Sequence, residues 1–398
     1  MTPAVRQYLV ITGNYWAFTL TDGALRMLVV LHFDQLGYSP LEIALLFLFY
    51  ELFGVVTNLV GGYLGARLGL NRTMNLGLFL QVIALGMLAV PAALLTVPWV
   101  MAAQALSGIA KDLNKMSAKS GIKLLVPDQQ QGTLYRWVAM LTGSKNTLKG
   151  VGFFLGGVLL MTIGFQGAVV TMAAVLVMVW LASLFLLRNT LGKSKAKPKF
   201  SDILSKSRAI NVLSAARLFL FGARDVWFVV ALPVYLHTAF GWDFWQVGGF
   251  MATWVIGYGV VQTLAPRFTG YREDGQPAVF WGALLALVPA GIAGGLMLGW
   301  SPQIVVVGGL LVFGVLFAIN SALHSYLIVS YARGDGVSLD VGFYYMSNAA
   351  GRLLGTLLSG WIYQQYGLEE CLWVSSGLVT LAALFATALP DRMTSATA

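Results

Sequence analysis

Apolar runs of about twenty residues, the length a helix needs to cross a bilayer, recur from one end of the chain to the other. They constrain the fold more than any other feature, because hydrocarbon offers no partner to a backbone amide. Twelve spans are expected, near residues 8–34, 40–64, 73–95, 98–125, 133–163, 166–188, 208–238, 244–268, 277–300, 302–331, 339–365 and 369–389. Of the 398 residues, 58% are hydrophobic and 10% charged, with mean hydropathy +0.76. A soluble chain carries roughly a quarter charged residues. The fold class expected is an all-α membrane protein. The first run is long and is interrupted by Asp22 and Arg26, so it reads as a retained helix and not a cleaved signal peptide. A single cysteine, Cys371, excludes a disulfide framework within the chain and a cysteine metal site, and is expected to pack in the last span.

The connectors alternate in character. Arg67 and Arg72, Arg136, the run from Arg188 to Arg208, Arg267 and Arg272, Arg333 and Arg392 fall on one side. The opposite connectors hold His32, Asp34, His237, Asp243, Glu369 and Glu370, and no Lys or Arg. The positive-inside rule then puts both termini in the cytoplasm.

One basic stretch, LGKSKAKPKFSDILSKS at residues 191–207, separates a half of residues 1–190 from a half of residues 208–398, each with six spans. It reads as an orientation anchor and not a nucleic-acid site. The halves are related. LGYSPLEI at 36–43 answers FGWDFWQV at 240–247, an offset of 204. Ser144, Lys149, Gly152 and Gly157 answer Ser347, Arg352, Gly355 and Gly360, an offset of 203. Parallel six-helix repeats are the sequence mark of major facilitator transporters.

The loop GYLGARLGLNR, Gly62 to Arg72, resembles the signature loop of that superfamily, G-x-L-x-D-R-x-G-R-R. Gly62, Leu64, Arg67 and Gly69 match; Ala66 stands in place of the Asp and Leu70 in place of a basic residue. The resemblance implies a conformational gate built on Gly62, Arg67, Gly69 and Arg72. The segments GNYWAFTLTDGALRMLVVLHF, LFYELFGVVTNLVGGYLGARLGLNRTMN, SGIAKDLNKMSAKS, TGSKNTLKGVGFFLGG and FGARDVWFVVALPVYL resemble the ArsJ-type organoarsenical efflux transporters. That resemblance implies export of 1-arseno-3-phosphoglycerate, formed when a glyceraldehyde-3-phosphate dehydrogenase takes arsenate in place of phosphate. It implies a monomer in a bacterial inner membrane, with no cofactor and no residue-level assignment of the substrate site.

The site must therefore come from physics. Lys111, Lys115, Lys119 and Lys123 follow one another at intervals of four in the fourth span. Lys119, Lys123 and Arg136 are close enough to the basic side to snorkel. Lys111 is 14 residues before Leu125, about 21 Å of helix, beyond the reach of its side chain. A charge at that depth costs on the order of 2.5–3.5 kcal/mol, so it should face a partner or a wet cavity. The same holds for Arg26, Lys115, Lys145, Lys149, Arg217, Arg224 and Arg352. Against these eight bases stand four acids, Asp22, Glu51, Asp112 and Asp225, so pairing leaves an excess of four positive charges that wants an anion.

Spans three, six, nine and twelve carry no internal charge; in the major facilitator fold these are the peripheral helices. Asp22 and Arg26, Lys111 and Lys115, and Lys145 and Lys149 are i, i+4 pairs, and the first is expected to form an ion pair that substrate can part. Arg26 and Arg224 lie at comparable depths. Arg can hold a phosphoryl or carboxylate group with two hydrogen bonds, whereas Lys acts as a point charge. Asn14, Asn58, Asn146, Asn320 and Asn348 can add hydrogen bonds or bridge helices. His324 can carry a proton or pack a helix, and Gly150, Gly152, Gly156 and Gly157 read as close-packing positions. No Walker motif, catalytic triad or zinc-ligand spacing is present, so the expected function is secondary transport of an organic anion and not catalysis. An organophosphate or other organic-anion antiporter is one rival, and a lipid-headgroup-flipping protein is another. The energy source stays open between a proton, carried by Asp22 or Glu51, and phosphate exchange.

Overall fold

The computed structural model describes residues 3–37, 46–127, 129–187, 191–193, 207–242, 244–270, 274–332 and 337–389. Arg188, Asp243, Arg272, Arg333, Arg392, the side chain of Asp34, most of the basic linker and most of the 36–43 repeat segment lie outside the described residues. No strand occurs among the described residues. The helices are α1 (Pro3–Gln35), α2 (Leu48–Leu68), α3 (Leu70–Leu88), α4 (Val97–Leu125), α5 (Gln131–Leu186), α6 (Arg208–Phe228), α7 (Ala231–Phe240), α8 (Phe244–Leu264), the four-residue α9 (Pro266–Thr269), α10 (Gln276–Met297), α11 (Pro302–Tyr331), α12 (Val337–Tyr366) and α13 (Leu368–Ala386).

Helix α5 breaks at Gly164, whose φ of 71° suits a residue without a Cβ, and α6 and α7 run on as one apolar passage. With α5 counted as two limbs, α6–α7 as one passage and α9 set aside, twelve long passages remain, close to the twelve expected spans. The third expected span ran to residue 95, but α3 stops at Leu88. Pro91, with no N–H to continue the helix, takes ψ 147°, and residues 92–94 form a single 3-10 turn. Phe185, Met161 and Ile304 are 86%, 82% and 75% exposed. Such side chains are costly in water and at no disadvantage against lipid tails.

Contacts divide the chain into two units, residues 1–130, 144–205 and 332–346, and residues 131–143, 206–331 and 347–398. The halves divided at the basic linker are thus crossed twice. The start of α12 packs in the first unit, where the Ser338 hydroxyl donates to the Gly62 carbonyl at 2.8 Å and Gly342 lies against Asn58 and Gly62. The start of α5 packs in the second, where Gly143 meets Gly259 and Thr263 and the Tyr135 ring stacks on Tyr326 at 4.4 Å.

In the first unit α4 is the hub, packed on α1, α2 and α3. Helix α1 also lies against the first limb of α5, where Gly23, Gly152 and Gly156 allow backbone contact. A Cβ on Gly152 would sit 2.6 Å from the Leu20 carbonyl oxygen. Gly152→Ala should therefore cost about 1–3 kcal/mol through forced separation of the helices. Gly13, with nothing within 4 Å of its Cβ position, should accept Ala at no cost. Thermal unfolding in detergent checks the pair; equal midpoints would refute the close-packing role. In the second unit Trp227, Trp254, Tyr258, Phe313 and Phe317 form an aromatic core, and Cys371 is buried beside it.

Candidate functional site

In the first unit the charges gather around one tyrosine. Tyr50 opens α2 and is 3% exposed. Its hydroxyl donates to Asp22 of α1, with Oδ1 at 2.7 Å and Oδ2 at 2.9 Å. Two cations rest on its ring: Lys111 Nζ of α4 is 3.7 Å from the ring centroid and the Arg26 guanidinium 5.1 Å. Arg26 also lies over Phe47 at 5.1 Å and donates to Glu51 Oε1 at 3.1 Å. The expected Asp22–Arg26 pair is not what forms. Arg26 reaches across to α2, and Asp22 takes the phenol. An i, i+4 relation shows which groups share a helix face, but not what the next helix offers.

On α4, Lys115 Nζ binds Asp112 Oδ1 at 2.6 Å, and Lys115 also sits 4.8 Å from the Tyr345 ring. The second Asp112 oxygen is buried and has no hydrogen-bond partner among the described residues. Lys111 has no carboxylate partner among the described residues; its neighbour Asp112 points elsewhere around the helix and serves Lys115. Lys145 donates to Asn146 at 3.3 Å, and Lys149 lies 5.9 Å from the Phe153 ring. Lys119 and Lys123 were expected to snorkel, yet they are only 2% and 8% exposed. The last turns of α4 are covered by neighbouring elements, among them Leu191, which touches the Cβ position of Gly121. Arg136 is exposed, as expected.

The second unit treats its charges differently. Asp225 is fully buried on α6 and binds two arginines. Arg224 places Nη2 2.5 Å and Nε 2.6 Å from Oδ1, and Arg352 of α12 places Nε 3.2 Å from Oδ2. Arg217 is buried on neutral partners. Its Nε donates to Asn348 Oδ1 at 2.9 Å, its Nη1 to the Ser321 carbonyl and hydroxyl at 3.2 Å each, and its guanidinium covers Phe221 at 3.9 Å. Gln262 donates to the same Ser321 hydroxyl at 3.0 Å. His324, one turn from Ser321, is 2% exposed, and its Nδ1 has no hydrogen-bond partner among the described residues.

Of the asparagines, Asn14 bridges to Ser183 at 2.8 Å, whereas Asn58 and Asn320 bond carbonyls of their own helices, Gly54 and Leu316. At the signature loop, Gly69 has a φ of 99° that disfavours side chains, and Arg67 donates to the Tyr63 hydroxyl at 2.6 Å. Arg72 is exposed, and Ala66 is completely buried.

Sequence reasoning missed two things. Tyr50 is not among the expected site residues, although its place between Asp22, Arg26 and Lys111 makes it the centre of the cluster. The offset of 203 also joins Asp22 to Asp225, so the two repeats carry a buried carboxylate at one register.

The sequence profile described as Major Facilitator Superfamily matches residues 10–339. Among solved structures, the human organic anion transporter TETRAN shares 18% identity over 97% of this chain and 100% of its own, with a TM-score of 0.78. The E. coli fucose:proton symporter shares 12% over 96% and 99%, with a TM-score of 0.75. A bacterial homologue of the iron transporter ferroportin shares 13% over 95% and 99%, with a TM-score of 0.73. No curated protein matches the chain.

Proposed function

The chain belongs to the Major Facilitator Superfamily, and we propose that within it the protein exports an organoarsenical anion, 1-arseno-3-phosphoglycerate, from the cytoplasm and so confers arsenate resistance. On this reading it lies in a bacterial inner membrane with both termini in the cytoplasm. It binds substrate as a monomer without a cofactor and follows a glyceraldehyde-3-phosphate dehydrogenase that makes the ester. The observation that carries the anion is Lys111, a cation deep in α4 that rests on a tyrosine ring and has no carboxylate among the described residues. A ring face attracts a cation by about 0.5–2 kcal/mol but offers it no lone pair, whereas a phosphoryl oxygen adds a charge-assisted hydrogen bond. Arg26, whose Glu51 partner is about a third exposed, can turn its fork to the same group. Lys115, Lys145 and Lys149 supply further positive charge for the carboxylate and the arsenate ester. Arg217, Arg224 and Arg352 hold the second unit's polar network, with His324 within it.

The resemblance of five long segments to ArsJ-type transporters supports the arsenical over other organophosphates. A solved neighbour named as an organic anion transporter gives the wider class a precedent on this fold. A headgroup-flipping role is disfavoured by the groove between α2 and α4. That groove, of about 420 Å³, is lined by Phe49, Phe53, Met101, Leu106 and other apolar residues. No charged residue lines it among the described residues, and beside it Gly108 packs on the Tyr50 backbone, with a Cβ position 2.6 Å from the carbonyl oxygen.

Everted vesicles holding the protein should accumulate labelled arsenylated phosphoglycerate, and neither free phosphoglycerate nor inorganic arsenate to the same extent. Cells should gain arsenate resistance only when the dehydrogenase can make the ester. Equal resistance in cells lacking that enzyme would refute the substrate.

A further inference from the structure

The four deep acids differ in what holds them. Asp225 takes two guanidinium groups, so it keeps one if the other leaves. Glu51 pairs with Arg26, but its side chain is 32% exposed and water can serve it. Asp22 accepts from a neutral hydroxyl, that of Tyr50. Asp112 depends on a single ammonium. Lys115 Nζ meets its Oδ1 at 2.6 Å and is its one hydrogen-bond partner among the described residues, while Oδ2 is buried and has none.

This pair is unequally covered. The Asp112 side chain is 2% exposed and that of Lys115 is 15%, so a solute can reach the ammonium and not the carboxylate. Lys115 also shares a helix face with Lys111, four residues before it, so an anion seated on Lys111 comes within reach of both. The other groups near Asp112 bring it no second cation. Lys111 rests on the Tyr50 ring. Tyr15 and Asp22 of α1 and Tyr345 of α12 lie close by, and Arg26 of α1 is paired with Glu51. Helix α2 adds Tyr50 and Glu51, with Tyr63 and Arg67 in its last two turns, and α3 adds Arg72, exposed at its start. None of these bonds to Asp112.

A buried carboxylate that loses its counter-charge takes a proton sooner than stay charged in a dry site. We infer that an anion draws Lys115 off Asp112 and that Asp112 then takes up a proton, so that each anion is carried together with a proton. The proton comes from the medium through which the ligand enters and goes onto the carboxylate. The ammonium keeps its own protons and is neutralised by the anion. On release of the anion, Lys115 returns to Asp112 and the proton leaves. This rests on the anion reading above and adds a cosubstrate to it, carried by Asp112 and not by Asp22 or Glu51.

The test counts protons. Purified full-length protein in weakly buffered solution near pH 7, with an indicator dye, is saturated with 3-phosphoglycerate brought to the same pH. Wild-type protein should take up at least about half a proton more per ligand bound than Asp112→Asn. The phosphoryl group's own titration, at about pH 6, is common to both proteins and cancels in the difference. Wild-type affinity should rise by up to about tenfold between about pH 8 and pH 7, and the variant's should change far less. Should Asp112→Asn fail to fold, Lys115→Gln decides. Its acid has lost the ammonium before any ligand arrives, so the extra proton should vanish there too. Wild-type protein that binds neither 3-phosphoglycerate nor the labelled ester overturns the anion reading, and this inference with it. Wild-type protein that binds with the same proton count as Asp112→Asn or Lys115→Gln overturns this inference alone.

Discussion

Asp225→Asn should destabilise the protein by about 3–5 kcal/mol, the penalty for stranding a buried charge by removing its partner. The carboxylate is fully buried, and both of its oxygens are engaged by guanidinium groups, Arg224 and Arg352 with side chains 15% and 30% exposed. Asparagine keeps the shape and one acceptor oxygen but loses the charge that two arginines share. Arg352→Gln is the comparison. It leaves Asp225 with the closer Arg224 and removes a guanidinium that solvent partly reaches, so its cost should be far smaller. Thermal unfolding of the two purified variants separates the cases. An Asp225→Asn protein no less stable than Arg352→Gln would show that the cluster is not what holds α6 to α12.

Lys111→Met should act in the opposite sense on stability and abolish ligand response. The substitution removes a deep charge whose insertion costs on the order of 2.5–3.5 kcal/mol and forfeits a ring contact worth about 0.5–2 kcal/mol. The apo protein should therefore be as stable as the wild type or slightly more so. At a 3-phosphoglycerate concentration about a hundred times the dissociation constant, the wild type gains about 2.7 kcal/mol of stability by mass action. The variant should gain close to none. A Lys111→Met protein that unfolds readily, while its folded fraction still binds the probe, would make Lys111 a structural residue and remove the main support for an anion site.

These expectations show how far the sequence could be read. The spans were legible because an apolar run must be long enough to cross hydrocarbon, and α11 ends at Tyr331 as the hydropathy implies. The third span was read too long because hydropathy continues past Leu88 while the chain turns at Pro91. The depth of Lys111 was legible from helix rise alone. That adjacent Asp112 would not serve Lys111 was legible from the step of about 100° around the helix, and Asp112 does pair with Lys115 instead. Partners on other helices were not. Nothing in the spacing of Arg26 shows that Glu51 comes closer than Asp22, and nothing in α4 shows that Lys119 is covered. Tyr50 escaped notice because an aromatic residue in an apolar run has a sufficient explanation in packing. Only its three polar neighbours, drawn from two other helices, give it a different role.

The crossing of segments between the units bears on inheritance. A duplicated chain is usually pictured as two copies free to drift apart, with either replaceable by its cousin in a related gene. Here residues 131–143 and 332–346 each pack with the unit built mainly from the opposite half. At Gly62 the fit leaves no room for even a methyl group against Ser338. A recombinant that joined the first half of one such gene to the second half of another would break continuity at the linker harmlessly, but it would mismatch at these two borrowed segments. The halves must therefore be inherited as a matched set, each bound to the history of the other.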